Sequence, residues 1–386
     1  MTRLPPTCLL VLLLICAPAA KTQAGEPSEF SGADLAVVRS LGPWPARFQP
    51  DPSNRVSGQP LAIELGRRLF LDPRMSPIGY IACVTCHQPD RSFTDLKARA
   101  HGLADLPRNT MALANLRLQR WYGWGGSSDS LWMASLRPML DAREFDSQPA
   151  IVARVYRRDE ELALCYLAVF KTAPSGPAER VMVNTGKALA AYLETLVTER
   201  TAFDEFRDAL EQGDAAASAR YPAAARRGLK LFVGALGCVE CHAGPNFSDG
   251  RFHRDPTGAA LAGADLGRYS GVREWRGSRF NLSGAYNDNP ARAAPMRTAG
   301  IDEHTRAAFR TPSLRNVAVT APYLHDGRHD GLREASLHRW RGADATASAV
   351  QPPTAAQADD LQAFLASLTD RHGARRPPSV VPIACP

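Results

Sequence analysis

Apolar residues recur at helical spacing through most of the chain, so the sequence predicts a mainly α-helical protein. No stretch of the sequence shows the alternation of apolar and polar residues that is typical of a half-buried strand. Clusters of proline and glycine predict connecting loops at 43–60, 173–177 and 286–296. The predicted helices are 60–70, 131–141, 150–170, 178–197, 200–212, 221–232, 331–339 and 355–369.

Part of this pattern occurs twice. Residues 66–70 read GRRLF and residues 228–232 read GLKLF. Each is followed by C-V-x-C-H, and then by a phenylalanine, a hydroxyl residue and an aspartate. The pattern G-x-x-D-x-L-x-x-A-S-L then recurs at 126–136 and 327–337. These matches predict two copies of one unit. The second copy is longer, and its extra residues fall in 250–308, whose composition predicts a loop.

The duplication sets the predicted domain boundaries. The join falls near 213–222, which predicts an N-terminal unit at 25–215 and a C-terminal unit at 216–386. Residues 1–24 contain an arginine, a short apolar run and small residues, which is the layout of a secretory signal peptide. Because the apolar run is too short to span a bilayer, we expect an exported protein without a membrane span.

Charge and cysteine content narrow the function further. The 386-residue chain has a net charge of +7, but its arginines are scattered among acids, which argues against a nucleic-acid partner. Two of the eight cysteines lie in the predicted signal peptide, and four lie in the C-V-x-C-H motifs. Cys165 and Cys385 remain. They either pair in an oxidising compartment or stay as thiols.

The two C-V-x-C-H motifs carry the candidate chemistry. A thiol redox pair usually lies in a βαβ pattern, which is not predicted here. A zinc site needs four ligands, and each motif supplies three. Covalent c-type haem uses every residue, since both cysteines form thioethers and the histidine ligates iron. The sequence therefore predicts two haems, one on Cys83, Cys86 and His87 and the other on Cys238, Cys241 and His242.

From about Leu61 to Gly342 the chain resembles the bacterial dihaem cytochrome c peroxidase and MauG superfamily. The stretch FRTPSLRNVAVTAPYLHDG at 309–327 carries the strongest likeness. The resemblance implies two cytochrome c-like helical domains related by internal duplication. It also implies an N-terminal haem that reacts with hydrogen peroxide, a C-terminal haem that relays electrons, and a calcium ion between them.

The resemblance further implies roles for individual residues. Trp124 matches the tryptophan between the haems, and Glu144 matches the catalytic glutamate twenty residues later. A carboxylate at that position can take a proton from peroxide and return it to the departing oxygen. Asn109, Thr320 and Pro322 match the calcium positions, and hard oxygen ligands suit calcium.

The chain departs from the family pattern at two positions. Ala134 replaces a glutamine that the family usually places in the peroxide pocket. Arg339 stands where the second haem takes a methionine or tyrosine, and a protonated arginine cannot ligate iron. We expect a neighbouring side chain to ligate this iron instead, with His338 as the first choice, His329 as the second and Met296 as the third.

His101 lies in the loop that closes the first haem in some relatives. We interpret it as an ordinary loop histidine, which leaves the first iron open to peroxide. The sequence thus predicts a periplasmic dihaem peroxidase that draws electrons from a small periplasmic cytochrome c or cupredoxin. One alternative is a MauG-like oxidase that uses peroxide to modify a partner protein, and a second is a non-enzymatic dihaem electron carrier. A homodimer is left open.

Overall fold

The computed structural model describes residues 30–255, 265–291, 300–340, 350–371 and 385. The signal peptide predicted at 1–24 and the candidate ligand Met296 lie outside these residues. Within them the protein is mainly helical, which confirms the predicted fold class. Each of the described helices is too short or too polar to cross a bilayer.

The described helices and strands follow the predicted order with several differences. The helices are α1 (Gly32–Ser40), α2 (Pro60–Leu71), α3 (Cys83–Cys86), α4 (Leu131–Leu140), α5 (Pro149–Arg158), α6 (Glu160–Phe170), α7 (Ala178–Leu193), α8 (Ala202–Gln212), α9 (Ala215–Ala219), α10 (Ala223–Val233), α11 (Arg268–Gly277), α12 (Leu332–Ser336) and α13 (Ala355–Ala366). The strands are β1 (Phe252–Arg254) and β2 (Ala308–Arg310), and 3-10 turns include Leu116–Leu118, Cys238–Glu240, Val317–Val319 and His338–Trp340.

Two predicted helices are interrupted. The helix predicted at 150–170 is divided into α5 and α6, because the side chain of Asp159 accepts the N–H of Leu162 at 2.9 Å and starts a new helix as its N-cap. The helix predicted at 331–339 ends at Ser336 as α12 and continues as the separate 3-10 turn His338–Trp340. In both places the apolar spacing predicts the helical segment correctly, but it does not show where the helix is interrupted.

The segment predicted as loop at 250–308 contains regular structure. The helix α11 lies inside it, and β1 pairs antiparallel with β2 so that Phe252 lies opposite Arg310. The prediction of no strand was therefore wrong. Each strand has only three residues, which is too short to display a period of two in the sequence.

Each half is built on one close crossing of two helices. α2 crosses α7 in the first half, and α10 crosses α13 in the second. A Cβ atom at Gly66 would lie 2.0 Å from the carbonyl oxygen of Ala188, and one at Gly228 would lie 1.9 Å from that of Asp360. Since no side chain fits there, the backbones touch directly. These glycines open the GRRLF and GLKLF repeats, so both copies use the same crossing.

The two apolar cores exchange elements between the halves. The larger core is formed by α2 and α4–α7, and it also includes Val272 and Trp275 of α11. The second core is formed around α10 and α13, and it also includes Val38 of α1 and Phe203 of α8. The boundary between 215 and 216 stays a prediction, but the packing joins the halves across it.

A disulfide adds a covalent link between distant parts of the chain. Cys165 on α6 is bonded to Cys385, and the partners are separated by 220 residues. Cys165 is fully buried in the larger core, and Cys385 packs against that core. Of the two states that the sequence left open for these cysteines, the structure therefore has the paired one.

We predict that Gly66→Ala and Gly228→Ala each destabilise the protein, because the new Cβ atom has to push two helix backbones apart. Overpacking of this kind costs about 1–3 kcal/mol, occasionally more. Gly32→Ala on α1 is the control, since a Cβ atom there meets no atom within 4 Å. Chemical unfolding of the holoprotein measures the difference. Unchanged stability in both crossing variants would contradict this account of the crossings.

Candidate active site

The first C-V-x-C-H histidine is held in one orientation. His87 Nδ1 lies 3.0 Å from the carbonyl oxygen of Phe93, and Phe93 is in the left-handed region with φ of 58°. Burial lowers the pKa of His87, which favours the neutral ring. A carbonyl only accepts hydrogen bonds, so Nδ1 carries the proton and Nε2 keeps the lone pair that a metal needs.

The second motif repeats this geometry. His242 Nδ1 lies 3.0 Å from the carbonyl oxygen of Phe247, whose φ is 50°, and burial lowers the pKa of His242 as well. In each motif the backbone N–H of the histidine donates to the carbonyl of the first cysteine, Cys83 or Cys238. One tight turn therefore presents two half-buried thiols and one imidazole together, as a c-type haem requires.

A buried arginine that the sequence analysis did not single out supports this fit. Arg310 is 2 % exposed, and burial lowers its pKa to about 10. Its guanidinium donates to the carbonyl of Thr311, while its Nε has no partner among the described residues. A buried cation without a carboxylate partner suits an acidic group such as a haem propionate. Arg310 lies in the FRTP stretch, but no local pattern in the sequence indicates its burial.

Glu144 lies beside the first pair of cysteines. Burial is the main reason that the pKa values of the Cys83 and Cys86 thiols are raised, and the nearby negative charge of Glu144 adds to both shifts. Burial raises the pKa of Glu144 itself, and Arg137, whose Nη1 lies 3.7 Å from Oε1, opposes that shift. The carboxylate is 22 % exposed and keeps some access to solvent. It can therefore hold or release a proton at the first motif.

The loop that contains His101 closes one side of this site. The thiol of Cys86 lies 3.6 Å from the carbonyl oxygen of His101, and the N–H of Leu103 donates to the carbonyl of Glu144 at 3.3 Å. The His101 ring is exposed and bonds to Asp105 at 2.7 Å. A cavity of about 310 Å³ opens between this loop and the motif. The structure thus brings the loop backbone to the site and leaves the imidazole outside.

Trp124 lies where the two halves meet. Its indole N–H donates to the carbonyl oxygen of Asn109 at 3.0 Å, and its own carbonyl accepts the N–H of Arg310 at 2.9 Å. The ring packs on Ala307 and Phe309 of the second half. The side chain is therefore fixed by groups from both copies, as a residue between two cofactors would be.

The three calcium candidates lie in one interdomain contact. The backbone N–H of Asn109 donates to the carbonyl of His325 at 2.8 Å, three residues after Pro322. The amide nitrogen of Asn109 donates to the carbonyl of Lys97 at 2.8 Å, so its side-chain oxygen is the atom available to a cation. The hydroxyl of Thr320 donates to Val317, which leaves its carbonyl as the candidate ligand. The contact with His325 brings Asn109 to the segment that carries Thr320 and Pro322, and calcium binding by these three residues stays a proposal.

The second motif has different neighbours. Burial raises the pKa values of both Cys238 and Cys241, and the nearby positive charge of Arg339 opposes this shift. The Arg339 guanidinium donates to the carbonyl of Leu236 at 3.1 Å. His338 is buried and both of its ring nitrogens are engaged. One lies 3.0 Å from His329 Nε2. The other lies 3.0 Å from Asp255 Oδ1. Ligation by His338 or His329 therefore requires this pair to separate.

The fold and the site define a duplicated, mainly helical protein with two C-x-x-C-H motifs and a tryptophan, Trp124, in the contact between its halves. The family model described as di-haem cytochrome c peroxidase matches residues 60–212. The methylamine utilization protein MauG of Methylorubrum extorquens is 30% identical over 375 residues, which cover 94% of each chain. The chain belongs to the di-haem cytochrome c peroxidase and MauG family.

Other comparisons agree with this assignment. The cytochrome c551 peroxidase of Pseudomonas aeruginosa is 29% identical over 303 residues, covering 75% of this chain and 76% of the relative. The crystal structure of a MauG-like protein associated with microbial copper homeostasis superposes with a TM-score of 0.64 at 26% identity, covering 86% of this chain and 97% of that one. The diheme peroxidase BthA of Burkholderia thailandensis superposes with a TM-score of 0.64 at 22% identity. The superposition covers 92% of that chain and supports the fold.

We predict that His338→Ala converts the second haem from low-spin to high-spin and leaves the first haem unchanged, because the variant removes an imidazole next to the expected ligand position. Electron paramagnetic resonance of the oxidised holoprotein distinguishes the two spin states. His304→Ala, an exposed histidine in the same half, is the matched control. A low-spin signal that survives in His338→Ala would exclude His338 as the ligand and make His329→Ala the next variant.

Proposed function

We propose that this protein is a periplasmic dihaem c-type peroxidase that reduces hydrogen peroxide at the N-terminal haem. Family membership implies two haems. The observation that carries the proposal is Glu144, a half-buried carboxylate with a raised pKa beside the motif whose histidine carries its proton on Nδ1. An electron carrier has no need of an acid–base group at this position, so Glu144 favours an enzyme.

The residues around the first motif have defined tasks. The haem, when bound, supplies the iron at which peroxide binds. Glu144 takes a proton from the near oxygen of peroxide and returns it to the departing oxygen, which leaves as water. Arg137, 3.7 Å from the carboxylate, limits the upward shift of its pKa and thus keeps part of the population ionised. The side chain of Ala134 cannot form a hydrogen bond. Glu144 therefore transfers the proton without the glutamine amide that the family usually places in this pocket.

Electrons reach this site from the second half. In our proposal Cys238, Cys241 and His242 would hold the C-terminal haem, and His338 would be a further ligand once its contacts with His329 and Asp255 separate. Trp124, fixed between the carbonyl of Asn109 and the backbone of Arg310, lies on the route between the halves. Calcium held by Asn109, Thr320 and Pro322 would stabilise the same contact, since its oxygen ligands come from both halves.

The external electron donor is a small periplasmic cytochrome c or cupredoxin in this proposal, and the segment at 1–24 serves as the export signal. A MauG-like reaction, in which the electrons come from a partner protein that becomes modified, is the second candidate. The 30% identity to MauG over nearly the whole chain supports keeping it. Both candidates use the same peroxide chemistry at Glu144, so the first experiments address their common part.

We predict that both haems are bound covalently. Denaturing mass spectrometry of protein matured in a host that makes c-type cytochromes should show two haem additions and no residues 1–24. Cys238→Ala with Cys241→Ala should reduce the additions to one, because no thiol remains for the second pair of thioethers. Haem that dissociates on denaturation of the wild type would contradict covalent attachment.

We predict that Glu144→Gln keeps both haems and the fold but loses peroxidase turnover by about 10²–10⁴-fold, the usual contribution of a general acid–base group. The ionised form is the proton acceptor, so wild-type activity should rise with pH through the raised pKa of Glu144, and this acidic limb should vanish in the variant. Steady-state assays with a reduced cytochrome measure both effects.

Glu161→Gln is the matched control for this variant, because Glu161 is 87% exposed on α6 and far from the described site contacts. It should behave as wild type. If Glu144→Gln retains full turnover and the acidic limb, Glu144 does not act in proton transfer. If it loses haem or stability instead, the carboxylate has a structural task.

A further inference from the structure

An aromatic cluster outside the proposed route lies where α11 packs on the first half. The rings of Trp121 and Trp275 are 5.3 Å apart and nearly perpendicular, and Trp121 also lies 6.5 Å from Phe252 of β1. The neighbour of Phe252 is His253, whose ring nitrogen lies 3.8 Å from the thiol of Cys241. The cluster is therefore linked through Phe252 and His253 to the second C-x-x-C-H motif.

The two tryptophans have opposite electrostatic surroundings. The guanidinium of Arg268 lies 3.8 Å from the ring centre of Trp121 and 4.1 Å from that of Phe252, and it is buried. Its hydrogen bonds go to the carbonyls of Gly125 and Gly126. A fixed positive charge over a ring disfavours removal of an electron from that ring, because the oxidised indole is itself a cation. Trp121 is thus the harder of the two to oxidise.

Trp275 has a carboxylate at its indole nitrogen instead. Its N–H donates to Asp129 Oδ2 at 2.6 Å, and the same oxygen accepts the N–H of Leu282 at 3.0 Å. Asp129 is 5 % exposed, and its Oδ1 has no hydrogen-bond partner among the described residues. Burial raises the pKa of Asp129, so this carboxylate is a better proton acceptor than an exposed aspartate.

We propose that Trp275 and Asp129 form a proton-coupled redox pair that stores one oxidising equivalent after the reaction with peroxide. This inference rests on the proposed function, because peroxide is the oxidant. Hydrogen peroxide takes two electrons and two protons and gives two waters. The Trp275 indole supplies one of those electrons, the bound haem iron would supply the other, and the two protons come from solvent. The indole N–H bond breaks, and its proton forms an O–H bond on Asp129. An electron from the donor later restores the indole, and the proton returns.

The geometry favours Trp275 over Trp121 as the residue that stores the oxidising equivalent. Loss of an electron makes an indole N–H strongly acidic, and a buried carboxylate at 2.6 Å removes that proton without a movement of heavy atoms. The product is a neutral ring beside a neutral acid, so no net charge is created in the apolar core. At Trp121 the oxidised ring would face the guanidinium of Arg268 instead.

The test is freeze-quench electron paramagnetic resonance of the oxidised holoprotein mixed with hydrogen peroxide, with ring-deuterated tryptophan to identify the radical. We expect a tryptophan radical in the wild type and its loss in Trp275→Phe. The wild-type signal should show no N–H coupling that is lost on exchange into D2O, because the indole proton lies on Asp129. Asp129→Asn should lower the radical yield, and any residual signal should then carry that coupling.

Trp132→Phe is the matched control, because Trp132 is equally buried but donates to a serine hydroxyl, Ser53 Oγ, at 3.2 Å. This variant should keep the radical. Haem content and unfolding midpoint are measured for each variant. If Asp129→Asn does not fold, the result for Trp275→Phe alone decides whether Trp275 carries the radical. An unchanged radical in Trp275→Phe, or oxidised haems without any tryptophan radical in the wild type, would overturn this inference alone. Haem spectra that do not respond to peroxide would overturn it together with the proposed function.

Discussion

The structure depends on one hydrogen bond that occurs twice. In each half a histidine gives its Nδ1 proton to the carbonyl of a phenylalanine, Phe93 or Phe247, that is held in the left-handed region. This bond fixes the tautomer and the ring plane, so the nitrogen that a metal needs is ready before the metal arrives. The two cysteines on the same turn lie beside this imidazole, as the proposed covalent attachment of haem requires. The rest of each half surrounds this turn with apolar side chains.

Duplication gives both halves the same helix crossing and the same C-x-x-C-H turn, and a few substitutions make the two copies different. The helix crossings at Gly66 and Gly228 match closely. The charges beside the motifs do not match, since the first pair of thiols faces the carboxylate of Glu144 and the second pair faces the guanidinium of Arg339. A carboxylate can move a proton, whereas a guanidinium keeps its protons at any ordinary pH. One frame thus carries two sites with different charges beside their thiols, and the first of them is suited to acid–base chemistry.

The sequence predicted what depends on local pattern. Helical spacing located most helices, and the two C-x-x-C-H motifs located both sites, because these signals need only neighbouring residues. It missed β1, β2 and α11, which lie in a segment whose composition resembles a loop. It also missed the burial of Arg310 and the hydrogen bonds on both nitrogens of His338. Burial and partner choice arise from contacts between distant segments, and no local pattern records them.

Those distant contacts also hold the halves in one fixed relation. The backbone of Arg310 donates to the carbonyl of Trp124, while its buried guanidinium reaches toward Met111 of the first half. The disulfide between Cys165 and Cys385 ties the end of the chain to the first core. Electron transfer between cofactors is sensitive to their separation, so an interface without freedom to slide protects the rate. Arg310 takes part in the interface through its backbone and Met111, and its unpartnered Nε suits it to the acidic group of a haem, so one residue can serve both the interface and the proposed cofactor.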